Sequence, residues 1–233
     1  MYESDVPGDM DSAESHDPLG RTLESTAALA MSAIGGVDGA SVSLAHNGSV
    51  ATAAATSAAV READGYQYSS GLGPCVAATK SGQTQRVRVA DIAESWPDFA
   101  AAATRLGFRS ILSTPLVVHG RPLGSLNLYS GDTDAFADQQ EQTASLFARQ
   151  ASGVLTLASD LAAAQETNRN LTLALESRQV IGQATGIIMA RQGCSADEGF
   201  DVLRKASQRE NRKLREIAEE IVRANEPKGQ HRD

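Results

Sequence analysis

The alternation of apolar and polar positions divides the chain into two kinds of region. Leu23, Ala27, Ala30 and Ile34 recur at helical spacing, and Gly35-Gly36 ends that pattern. SVSLAH (41–46) and SVATAAAT (49–56) then alternate with the period of a strand around Asn47-Gly48. That dipeptide between alternating runs predicts a hairpin, because both turn residues must take positive φ. A short helix is expected next, ending near Gly65. Gly71, Gly73 and Pro74 mark a loop, and CVAATKSG reads as a short helix closed by Gly82. QRVRVAD alternates as a strand, and WPDFAAAATRLGF reads as a helix with Pro97 in its first turn. SILSTPLVVHGRPLGSLNLYS gives two strands around a turn at residues 119–122. This part of the chain is therefore α+β.

From Ala135 to about Gln192 the pattern is helical, with no proline and only the isolated glycines Gly153, Gly182 and Gly186. A helix of that length suggests a coiled coil. Val154, Leu157, Leu161, Ala164, Asn168, Leu171 and Leu175 alternate spacings of three and four. Asn168 is the one polar seam position, a device that fixes register and oligomer state. Two arrangements fit: the seam of a homodimer through residues 154–175, or a helix packed on its own α+β region. The dimer is preferred because the repeat continues past any plausible sheet edge. Gly193 ends the helix, and Ser195-Ala196-Asp197-Glu198 is a capping box. Phe200, Leu203 and Ala206 supply the apolar face of the next helix. Asn211 is expected to cap a last one carrying Leu214, Ile217, Ala218, Ile221 and Val222, with Pro227 ending it. The pieces 173–192, 196–208 and 212–224 should form a compact three-helix bundle.

Composition narrows the class. A chain of 233 residues holds one or two domains. With 41% hydrophobic and 21% charged residues it is globular, and 4% aromatics argue against an all-β fold. Residues 1–20 carry six acidic residues and no Lys or Arg, so a disordered acidic tail is expected. No secretory signal and no membrane-spanning run is legible, which points to the cytoplasm.

Charge is uneven. Residues 1–159 hold nine Lys/Arg and seventeen Asp/Glu, whereas residues 160–233 hold twelve of each. Within the neutral part, RKASQRENRKLR (204–215) has six basic residues and one acid. Such a cluster suits phosphate contact, or else a solvated helix face with partners such as Arg212–Glu216 and Arg215–Glu219.

Catalytic chemistry is not legible. His16, His46, His119 and His231 are scattered, so no zinc spacing exists. SGLGPC lacks the lysine of a P-loop, and Gly182–Gly186 follows no strand. No enzyme is expected, and no cofactor is named. Cys75 is either a small buried hydrophobe or a redox or ligand-attachment residue, and Trp96 either lids a pocket or fills the core beside Phe99. Phe200 is the only aromatic after residue 147, which removes any stacking platform for bases.

Residues 171–222 resemble the ANTAR output domain, an RNA-binding transcription antiterminator module. The resemblance is carried by Ser177-Arg178, Ile181, Ala184, Gly186-Ile187-Ile188-Met189, Leu203-Arg204, Ala206-Ser207, Asn211, Leu214 and Ile217-Ala218. Thr185 stands where Lys is frequent and Gly199 where Ala is frequent. Residues 21–159 resemble a GAF sensor domain of the kind fused to ANTAR in actinobacteria. That likeness rests on SGLGPC (70–75), VADIAESWPDF (89–99), LSTPL (112–116) and GSLNLYS (124–130).

The resemblance implies a GAF-like antiparallel sheet with flanking helices, a linking coiled-coil helix over 154–176 and a three-helix ANTAR bundle over 171–224, with a tail at 225–233. It implies a signal-responsive antitermination regulator that binds paired stem-loops in nascent RNA. Arg204, Arg209, Arg212 and Lys213 would meet phosphates, Ser207, Gln208 and Asn211 would reach base edges or ribose hydroxyls, and Arg178 and Lys205 are further RNA-binding candidates. Tyr66, Leu72, Cys75, Trp96 and Phe99 are candidates to line a ligand pocket in the GAF domain. A ligand- or redox-sensing protein whose helical tail binds a protein partner is the alternative, and a DNA-binding regulator ranks third.

Overall fold

The computed structural model describes residues 18–46 and 49–225. The expected tails and the Asn47-Gly48 turn lie wholly or almost wholly outside them. The chain divides into two compact units at Asp160/Leu161.

The first unit is a five-stranded antiparallel sheet with helices on both faces. Its strands are β1 (Gly39–His46), β2 (Ser49–Ala55), β3 (Gln85–Arg88), β4 (Ser110–Val118) and β5 (Arg121–Ser130), in the order β2-β1-β5-β4-β3. Helix α1 (Pro18–Ala33) turns Leu23, Ala27 and Ala30 inward as its spacing predicts. Helix α5 (Asp138–Gln192) contributes Ala144, Ala148, Ala151 and Leu155 to the same core. There they meet Ala40, Val42, Leu112, Leu116, Leu126 and Leu128, so the centre of one sheet face is mostly apolar, with Thr114 a buried polar residue among them.

Helices α2 (Ala58–Ser70), α3 (Pro74–Ser81) and α4 (Pro97–Arg105) belong to the other face, with Phe99, Phe108, Ile111 and Tyr129 in one cluster. Helix α2 runs past Gly65, where an end was expected. It stops at Gly71, whose φ of 67° is left-handed. Val60 and Ala63 before Gly65 and Gln67 after it are all buried, so packing overrides the weak helix propensity of one glycine. QRVRVAD is a strand only to Arg88 and continues as a 3-10 turn at Val89–Ile92.

The β4–β5 turn is tighter than the four residues expected. His119 and Gly120 take φ of 49° and 75°, the two positive angles of a two-residue hairpin loop. The His119 imidazole Nε2 lies 3.0 Å from Asp160 Oδ1. Gly124 is required by close approach: a Cβ there would lie 2.0 Å from the Ser43 carbonyl oxygen on β1. Strands β2 and β3 are the sheet edges. Arg86 on β3 reaches Asp138 at 2.8 Å, and Arg88 reaches Asp134 at 2.6 Å.

The second unit comprises the C-terminal part of α5, α6 (Ala196–Glu210) and α7 (Leu214–Asn225). Its core is small: Ala184, Ile188, Leu203, Ile217 and Ala218. Both bonds of the predicted capping box form, the Ser195 hydroxyl accepting from the Glu198 amide and the Glu198 carboxylate from the Ser195 amide. Two expectations are corrected. Phe200 is 40% exposed and does not belong to the apolar face of α6, which uses Gly199 instead. Asn211 is not an N-cap: it ends α6 in the left-handed conformation, φ 51° and ψ 41°. The Arg212 amide donates to the Ser207 carbonyl and the Asn211 amide to the Gln208 carbonyl, the paired bonds of a Schellman turn.

Candidate functional site

The basic cluster of the second unit sits on the solvent face of α6 and on the corner after it. Leu203 is buried, and Arg204, Lys205, Gln208 and Arg209 point away from it, as 100° per residue dictates. The Schellman turn then exposes Asn211, Arg212 and Lys213. Acids nearby claim many of the cations. Arg204 pairs with Asp201 at 2.8 Å and Arg209 with Glu210 at 3.1 Å. Arg212 is held by Glu220 at 2.9 Å, Glu210 at 3.4 Å and Glu216 at 3.8 Å. Arg215 reaches Glu219 at 2.7 Å and Glu176 at 3.4 Å. The solvated-face pairs legible in the sequence are thus both present. Among the described residues, Arg178, Lys205 and Lys213 are exposed and form no ion pair. Ser207 is half-buried, and its hydroxyl donates to the Arg212 carbonyl at 2.5 Å, so it fastens the corner from within.

Thr185 and Gly199, the two positions where the ANTAR pattern is departed from, lie against each other. A Cβ on Gly199 would stand 3.3 Å from Thr185 Cγ2, Thr185 O and Met189 Cγ. The missing methyl leaves room for the Thr185 and Met189 side chains and the Thr185 carbonyl.

In the first unit, the candidate pocket residues do not gather. Phe99 is fully buried in the apolar cluster, with Trp96 packed at its margin, so both fill the core. Leu72 is half exposed, and Tyr66 faces outward into a groove with Asp98 and Arg105. Only Cys75 faces a polar interior. A second groove, of about 800 Å³, runs along β3 and is lined by Arg86, Arg88, Asp134 and Phe136.

The polar interior itself was not anticipated. Ser41 and Ser43 of β1, Thr52 of β2, Ser113 of β4, and Ser125, Asn127 and Tyr129 of β5 meet Asp64, Gln67 and Tyr68 of α2 and Cys75 of α3. Nearly all of them are buried. Asp64 accepts from the Tyr129 hydroxyl at 2.5 Å and from Thr52 at 2.8 Å. A hydroxyl carries one proton, so Thr52 must accept from Tyr68 at 2.8 Å, and Tyr68 from Ser43 at 2.6 Å. Gln67 ties in α3: its amide nitrogen donates to Tyr129 at 3.1 Å, and its carbonyl accepts from the Cys75 amide at 2.8 Å. The Asn127 amide nitrogen donates to Ser41 at 3.1 Å and Ser43 at 2.9 Å.

Burial pushes the Asp64 carboxyl above its ordinary range, against the opposing pull of its hydroxyl donors, Tyr129 first. Burial, then the Asp64 charge, pushes the Cys75 thiol up to about 12. A thiol raised in this way holds its proton at neutral pH, which disfavours a thiolate at Cys75. Among the described residues no cluster of three His, Cys, Asp or Glu can hold a metal, and no helix is long and apolar enough to cross a membrane. The sequence did contain a signal for the network, the alternation Ser41/Ser43 and Ser125/Asn127/Tyr129. Alternation of that kind also describes a strand with one wet face.

Comparison with known proteins fixes the family. No curated protein matches the chain. Among solved structures, a domain of a two-component sensor histidine kinase protein from Sinorhizobium meliloti 1021 is 22% identical, with a TM-score of 0.50 over 66% of this chain and 99% of that one. The photoproduct state of GAF3 from Slr1393 of Synechocystis sp. PCC6803 is 16% identical, with a TM-score of 0.50 over 63% of this chain and 99% of that one. At such identities the likeness is one of fold. Two family models match in succession, a GAF domain at residues 17–156 and an ANTAR domain at residues 169–222. The chain therefore belongs to the GAF family and carries an ANTAR domain behind its GAF domain.

Proposed function

We propose that this GAF–ANTAR regulator binds paired stem-loops in nascent leader RNA through its ANTAR domain, stabilises an antiterminator structure there, and is controlled by its GAF domain. It acts in the cytoplasm as a non-enzymatic homodimer. The observation that carries the reading is the α6–α7 corner. There Lys205 and Gln208 of α6 and Asn211 and Lys213 of the backbone-locked turn after it stand exposed, the two lysines without acidic partners. Arg204, Arg209 and Arg212 are in exposed pairs, which are weak and can exchange a carboxylate for a phosphate. Loop bases are accessible to polar side chains, whereas an A-form stem hides its major groove.

The dimer reading is supported by the middle of α5. Every residue from Ser159 to Glu176 is exposed, and the seam leucines Leu157, Leu161 and Leu175 are 72%, 59% and 68% exposed. A lone helix segment with that stripe gains no tertiary burial, whereas a second copy covers it at the heptad positions. Two ANTAR domains delivered together suit two stem-loops, because linked weak sites gain avidity.

The test is a gel-shift titration with a two-stem-loop leader RNA, the same RNA with scrambled loops, and duplex DNA. Loop-dependent binding that falls steeply with salt is expected. Lys205→Glu/Lys213→Glu should lower affinity at least tenfold with an unchanged circular-dichroism melt. Binding to none of the probes, by the full chain and by residues 160–233 alike, overturns the RNA reading. The partner-protein reading then takes its place, favoured by Phe200 and Val202, which are exposed on α6. If removing residues 21–150 leaves RNA affinity unchanged and no ligand alters it, control by the GAF domain fails.

A further inference from the structure

We propose that the groove between the C-terminal part of α5 and the last turn of α7 receives an unstacked purine base from a loop of the bound RNA. This rests on the RNA-binding reading of the ANTAR domain and adds a second contact to it. Lys213 and Asn225 mark opposite ends of α7, so the groove is separate from the α6–α7 corner. Its volume is about 490 Å³, within the range of small-molecule clefts.

Helical periodicity builds it. Gln183, Ile187 and Arg191 recur every four residues along one side of α5, with Gly186 beside them, while Ala184 and Ile188 turn into the core. Val222 and Asn225 of α7 close the other side. A Cβ at Gly186 would meet nothing within 4 Å. Packing inside the unit therefore does not demand glycine there, although glycine weakens a helix interior. Gly199 is the contrast, since a Cβ there would press on three atoms at 3.3 Å. The bare backbone at Gly186 leaves the groove open.

Charge and hydrogen-bond chemistry select the occupant. Among the described residues that line the groove there is no carboxylate. The neighbouring groove along Ile217 and Ile221 of α7 is lined by Glu210 and Glu220, whose charge repels a phosphate chain. In the first groove Arg191 donates to the Asn225 carbonyl oxygen at 2.7 Å, which fixes the guanidinium plane. The Asn225 amide nitrogen keeps two donors with no partner among the described residues, and a purine answers with N7, joined by O6 in guanine. Ile187 and Val222, both half-buried, offer methyl groups to the base, and the Arg191 plane takes the place of an aromatic stacking platform. The exposed Gln183 amide, two turns along α5, suits a ribose hydroxyl.

The test uses the full chain and the two-stem-loop leader RNA, with each loop nucleotide made abasic in turn. One abasic position is expected to lower the affinity of the wild-type chain at least tenfold. Gly186→Leu, which fills the groove, should bind the intact RNA at least tenfold more weakly and lose its sensitivity to that same position. Its melting temperature should be no lower than that of wild type, because leucine favours a helix over glycine. Asn225→Ala, at the exposed end of α7, should show a smaller loss confined to the same position. Unchanged affinity and an unchanged abasic pattern in either variant overturn the base site while RNA binding stands. A wild-type chain that binds no RNA overturns both readings. Loss of a self-associated species by Gly186→Leu in sedimentation, with the abasic pattern intact, also overturns the base site and makes the groove an interface between copies.

Discussion

One face of the sheet buries Val42, Leu112, Leu126 and Leu128 against α1 and α5; the other buries Ser41, Ser43, Ser125 and Asn127 against α2 and α3. The strands are the same, and each contributes alternate residues to each side. On the apolar side any well-shaped neighbour suffices, because burial energy is non-directional. On the polar side each atom needs a partner of the right kind at the right place, and a missing one costs more than a made one contributes. The first face sets how much stability the unit has. The second sets how specifically α2 and α3 must sit.

The contrast can be broken from either side. Leu126→Ala should cost the most, about 2–5 kcal/mol, through lost burial and a residual cavity, read as a shift in the denaturant midpoint. Tyr129→Phe removes one oxygen and almost no volume. It should still cost about 1–3 kcal/mol, because Asp64 loses a donor and Gln67 an acceptor. A loss no larger than a surface substitution would mean that the network is not coupled to folding. Asp64→Asn tests the electrostatics. The folded carboxyl holds its proton more tightly than the unfolded one, so its contribution is greatest below the ordinary carboxylate pKa and declines as pH rises through the raised value. The stability of wild type relative to Asp64→Asn should therefore fall from pH 4 towards neutrality, measured by melts across that range. Ser152→Ala should matter least, within about 0.5 kcal/mol. Its hydroxyl accepts from the Val117 amide at 2.9 Å at an exposed site that water can serve instead.

The apolar face was legible because a period of two in strands and of three and four in helices names the inward residues directly. Leu23, Ala27, Ala30 and Ile34 are buried as their spacing requires. The polar face was not, because Ser41, Ser43 and Asn127 read identically whether water or a helix lies above them. Asp64 carried no mark at all: one acid in a short helix looks like a solvated residue until Tyr129, sixty-five positions away, is brought against it. Phe99 and Trp96 were ambiguous for the converse reason, since aromatic residues suit a pocket and a core equally. In the ANTAR domain the capping box was readable because its four residues are local. Asn211 was placed at the wrong end of a helix because asparagine favours both an N-cap and the left-handed position after a C-terminus.

The two sheet edges differ in a way that bears on how the protein fails. An unpaired strand edge is a template for another chain, and nature blocks it with brevity and charge. Strand β3 has both, four residues long with Arg86 and Arg88 fastened to acids beside it. Strand β2 is seven residues of serine, valine, threonine and alanine without a charge, screened by Arg61, whose guanidinium donates to the Thr52 carbonyl at 3.3 Å. Aggregation of this protein is expected to begin at β2, and replacing Arg61 with alanine should hasten it before any change in the melting curve is seen.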